Sequence, residues 1–132
     1  MTKGIMMSDA QQLSEDALER RAFAAKLAPK QAFISPEDNL VMLKGRGSNA
    51  PWLGARDTGV AIEAAWQVKD VVKIEIDRSD EDYRFKARVV TVSPKRNHRG
   101  MRLQRLYTDG YGHTAAVAIL RAAIVVAERT SH

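Results

Sequence analysis

The chain has 132 residues, 45% apolar and 28% charged, with no cysteine; this is the size and balance of one ordinary domain, and it excludes disulfides, thiolate metal sites and cysteine nucleophiles. The formal charge of +5 is unevenly placed: residues 84–105 hold eight cations (Arg84, Lys86, Arg88, Lys95, Arg96, Arg99, Arg102 and Arg105) and no acid, while the other 110 residues hold 13 basic against 16 acidic. A positive field confined to one segment points to a polyanionic partner.

The opening stretch MTKGIMMSDA has no apolar core of the kind a signal peptide needs, and residues 1–7 are expected to be disordered. Residues 8–27 have helical spacing: Ser8 and Gln11 fit a capping box, Leu13, Ala17, Ala24 and Leu27 share a face, Asp16 and Arg20 are set four apart, and Pro29 supplies a stop. QAFI and LVMLK, separated by SPEDN, predict a hairpin. GRGSNAPWLGARD is a glycine-rich loop leading into a short helix over 59–67, capped by Asp57 or Thr58, with Val60, Ala61, Ala64 and Ala65 toward the core.

From residue 71 the period becomes two. Val72, Ile74 and Ile76 alternate with Lys73, Glu75 and Asp77; RSDED turns the chain; Tyr83, Phe85, Ala87 and Val89 alternate with Arg84, Lys86 and Arg88. SPKRNHRG predicts a long basic connection and MRLQRLY a third strand. The apolar helix expected over 114–129 is interrupted by Arg121 and falls short of the ~17 apolar residues that span a membrane. The expected fold is α+β: a single domain with an antiparallel sheet of about five strands flanked by N- and C-terminal helices, the alternative being a small, partly open barrel.

Three features carry candidate chemistry. Arg84, Lys86 and Arg88 form a row with a spacing of about 6.6–7 Å that suits phosphates, unless acids of the neighbouring strand neutralise it. Lys95, Arg96, Arg99, Arg102 and Arg105 extend the row into a segment without local acids, where arginine offers bidentate phosphate contacts. In TDGYGHT, residues Gly110, Gly112, His113 and Thr114 precede a helix and could either cradle an anion or simply turn and cap, while Tyr111 is a candidate for stacking a base and the loop residue Trp52 either fills the core or stacks a base; Trp66 is expected in the core.

Catalysis finds little support. No Walker or dinucleotide pattern occurs, the histidines (His98, His113, His132) suit no metal triad, and Asp109 with His113 is better explained by local turn bonding than as an acid/base pair. The expectation is a cytoplasmic, non-catalytic accessory or regulatory protein that binds nucleic acid through residues 84–105, with no membrane partner, no metal and no cofactor. The alternatives are a binder of a phosphorylated small molecule, such as a nucleotide or nucleotide signal, through the glycine loops, and a homodimeric adaptor or chaperone assembled on the apolar last helix.

Overall fold

A computed structural model describes residues 14–79, 84–97 and 99–130. The first helix, α1 (Glu15–Ala24), begins at Ser14, whose Oγ accepts the Ala17 amide at 3.3 Å, with Glu15 and Asp16 in the turn where the helix dipole favours negative charge. The capping pair Ser8 and Gln11, and Leu13, lie outside the described residues. The stop comes before Pro29: Lys26 adopts φ 65°, its amide returns to the Phe23 carbonyl and the Leu27 amide to that of Ala22, closing a Schellman turn. Asp16 and Arg20 do not serve each other; Asp16 pairs with Arg56 and Arg20 donates to the Asn39 carbonyl.

The predicted hairpin forms, as β1 (Ala32–Ile34) and β2 (Val41–Leu43), and a two-residue β3 (Ala50–Pro51) from the glycine loop joins it as a third antiparallel strand. Asp57 caps α2 (Thr58–Trp66) by accepting the Val60 amide at 3.1 Å, and Ala61, Ala64 and Ala65 are buried as expected. A second antiparallel sheet has the order β4 (Val71–Ser79), β5 (Arg84–Asn97), β6 (Gly100–Gly112). The chain then enters α3 (Ala115–Thr130).

The architecture is α+β, with two three-stranded antiparallel sheets in place of the single sheet of about five strands expected. The reason lies in α3. It packs against β5 and β6 and also against α1 and α2, and Val117, Ile119, Leu120, Ile124 and Val126 are buried by those elements together. A helix apolar on every side consumes the inner face of one sheet and leaves the first hairpin to pack on α1 instead. This covering within one chain also removes the observation that pointed to a homodimer. A single cluster of buried side chains joins Leu18, Val41, Trp52, Ala61, Val89 and the α3 residues. Among the described residues no helix is long and apolar enough to cross a membrane.

Candidate nucleic-acid interface

The basic segment is not a loop. β5 and β6 pair from Phe85 with Gly112 to Asn97 with Gly100, and only residues 98 and 99 connect them. β4 stops covering β5 at Thr91, opposite Val71, so the six pairs from Val92–Arg105 outward form a two-stranded ribbon, tied back at its root by the Val92 amide on the Asp70 carbonyl. At about 3.3 Å per residue the ribbon is roughly 20 Å long. Gly100 takes φ +118° at the tip, a conformation L side chains rarely adopt. Pro94 is tolerated because each strand of an isolated ribbon has a flank that owes no ladder bond.

Residues 92–105 carry Lys95, Arg96, Arg99, Arg102 and Arg105 and no acid. The register places Lys95 opposite Arg102 in one set of alternating positions, and Arg96 and Arg105 in the other set, opposite Met101 and Val92. Arg99 is exposed at the tip, Arg105 is exposed on β6, and Leu103 is 70% exposed. His98 lies outside the described residues.

Closer to the core the row changes character. Asp77 stands opposite Lys86 and Glu75 opposite Arg88 across β4, but the direct carboxylate partner of both cations is Asp109 on β6. The Arg88 guanidinium grips Asp109 with two bonds, of 2.8 and 3.3 Å, and Lys86 Nζ lies 3.8 Å away. The hydrogen bond from Arg88 holds the Asp109 carboxyl below the usual carboxylate range, although partial burial opposes it. Glu75 is held low as well, chiefly by its hydrogen bond to Lys73, 2.9 Å away on the same strand. Arg84 stacks over the Tyr111 ring at 4.9 Å and Arg88 over Tyr107 at 5.3 Å. On the outer face of the sheet Asp109 thus offsets part of the charge of the inner row, whereas residues 92–105 add five further cations to the sequence and no acid.

Gly110 and Gly112 are buried under α3. A Cβ on Gly110 would meet the Ala118 carbonyl oxygen at 2.4 Å, and one on Gly112 would meet Val117 Cγ1 at 2.6 Å, so their missing side chains let the helix lie directly on β6. Thr114 caps α3, its Oγ1 accepting the Val117 amide at 3.2 Å, and His113 is exposed beside it. Tyr111 sits half-buried on the outer face of the sheet, away from the glycines. Trp52 is 2% exposed, which agrees with its core alternative and not with base stacking, whereas Trp66, expected in the core, is 49% exposed. Gly54 folds over the Trp52 indole so closely that a Cβ there would meet Cη2 at 2.4 Å, which leaves this ring no face for a base.

Three residues of the interface escape composition-based reading: Asp109, which neutralises the inner row, and Leu103 and Tyr107, which are 70% and 57% exposed. Extending the alternation of MRLQRLY through TDGYG would have put Asp109 and Tyr107 on the face of Arg88. Among the described residues no cluster of His, Asp or Glu could hold a metal. Set against models of known families, curated proteins and solved structures, the chain gives no match.

Proposed function

We propose that this protein binds nucleic acid through the β5–β6 ribbon, as a non-catalytic accessory or regulatory factor. One observation carries the reading: the long acid-free basic stretch of the sequence continues as a two-stranded ribbon beyond the last β4 pair, while Lys86 and Arg88 nearer the core pair with Asp109. Neutralising phosphates releases counterions, so five cations predict a log–log salt slope of up to roughly −4.5 on duplex DNA. Fluorescence anisotropy of a labelled oligonucleotide at two salt concentrations tests this. The double substitution Arg99→Glu, Arg102→Glu should weaken binding at least tenfold and flatten the slope by about two units, with an unchanged circular dichroism spectrum. Binding that is absent, insensitive to salt, or indifferent to these charges would remove the reading.

A second reading has its own observation. A surface cavity of about 480 Å³ is lined by Lys30, Lys44, Asn49 and Phe33, at the glycine loop that follows β2. Two lysines and a phenylalanine lining one cavity suit a phosphorylated small molecule such as a nucleotide. Isothermal titration with nucleoside phosphates distinguishes it: saturable binding lost in Lys30→Glu, Lys44→Glu and kept in the Arg99/Arg102 variant supports the cavity, and no heat with any of them dismisses it.

A further inference from the structure

Resting on the nucleic-acid reading, we infer that the ribbon's target is B-form duplex DNA, entered through the major groove. The geometry decides among the three forms of nucleic acid. A two-stranded β-ribbon fits the major groove of B-DNA, about 12 Å wide, whereas the minor groove is about 6 Å wide and the major groove of A-form RNA is too narrow and deep for side chains to read. The ribbon's length of about 20 Å matches roughly six base pairs at 3.4 Å each, about half a helical turn.

The placement of charge points the same way. A single strand lying on a sheet needs a cationic platform on one face with open aromatic rings. The corresponding face here has Asp109 at its centre, and Arg84 and Arg88 already cover Tyr111 and Tyr107. On the ribbon, by contrast, cations occupy both sets of alternating positions, Lys95 and Arg102 in one and Arg96 and Arg105 in the other, with Arg99 at the tip. Arg96, Leu103 and Arg105 share one of these sets, so a single face of the ribbon combines cationic and apolar positions, the mixture that reads base edges on a groove floor. Leu103, 70% exposed between these cations, supplies an apolar contact of the kind a thymine C5-methyl offers on the groove floor.

The test titrates the full chain with one 20-base-pair sequence in three forms: duplex DNA, one of its DNA strands, and the equivalent RNA duplex. Duplex DNA should bind at least tenfold more tightly than either of the others. Filling the major groove with glucosylated 5-hydroxymethylcytosine should abolish that advantage, and the minor-groove ligand netropsin should leave it intact. Leu103→Ser should weaken duplex binding severalfold without changing the salt slope, because it removes no charge. Equal or tighter binding of the single strand or the RNA overturns this inference and leaves the nucleic-acid reading standing; so does competition by netropsin with no effect of the bulky cytosine. Failure to bind any of the three defeats both.

Discussion

Replacing Gly110 with alanine tests how the stretch TDGYGHT works. The added Cβ would lie 2.4 Å from the Ala118 carbonyl oxygen and 2.6 Å from the Ala122 nitrogen, where ordinary contact begins near 3.4 Å, so α3 has to lift by about 1 Å at that turn. Both obstructing atoms belong to the helix backbone and cannot swing aside as a side chain would. Overpacking a filled core costs about 1–3 kcal/mol, and a rigid obstruction belongs at the upper end, near 3 kcal/mol. Lifting the helix also forfeits a quarter to a half of the dispersion energy of the contacts it opens. With a urea dependence of about 2 kcal/mol per molar, Gly110→Ala should lower the unfolding midpoint by roughly 1.5 M. Gly112→Ala, which meets mainly the Val117 side chain at 2.6 Å, should cost less, and Gly47→Ala, with nothing within 4 Å, should stay within about 0.5 kcal/mol of the parent. A Gly110→Ala protein as stable as the Gly47→Ala control would refute the packing role and return these glycines to the anion-cradle interpretation.

Other expectations follow from the same geometry. Trp52→Ala should destabilise the protein by about 3–5 kcal/mol and Trp66→Ala by under about 1, measured by chemical denaturation; the reverse order would contradict their burial. Glu19 is 3% exposed, and burial raises its pKa even though its Oε2 accepts the Ala55 amide at 3.0 Å. A raised folded-state value means the contribution to stability is complete below the ordinary 4.5 and is lost as pH rises through the folded value. Glu19→Gln should therefore match the parent near pH 4 and exceed it at pH 8, whereas Glu19→Leu, which strands the Ala55 amide, should lose about 1–3 kcal/mol at either pH. Asp109→Asn releases Arg88 and Lys86, so polyanion affinity at low salt should rise and the salt slope steepen by one to two units; a fall in affinity would show that Asp109 organises the binding surface rather than neutralising it.

The sequence discloses the parts governed by short-range physics. Period two exposes the β4–β5 pairing, Asp57 announces α2, and the apolar run of α3 is plain before any coordinates. The ribbon is hidden because Pro94, Asn97 and Gly100 are common turn formers. On a ribbon with two free flanks a proline is harmless, and the glycine is needed only at the two-residue tip. The division into two sheets cannot be inferred from alternation, which says that a segment is extended and not which neighbour it chooses. Trp52 is ambiguous in the sequence for a related reason: small residues around a large ring fit an open loop as well as a core site, and Gly54 is small so that the chain can close over the indole. The basic character of 84–105 is legible in full, but the pairing of Lys86 and Arg88 with Asp109 is not, since it depends on β6 continuing past residue 107 alongside β5.

β6 runs without a break from Gly100 at the tip to Gly112 under α3, so a single extended backbone joins the water-exposed end of the ribbon to the least yielding part of the interior. Such a strand behaves as a cantilever, with its aim set at the clamped root. A partner that seizes the tip therefore pulls on the helix seat itself, and whatever loosens that seat will blur where the arm points long before it changes the charge the arm carries.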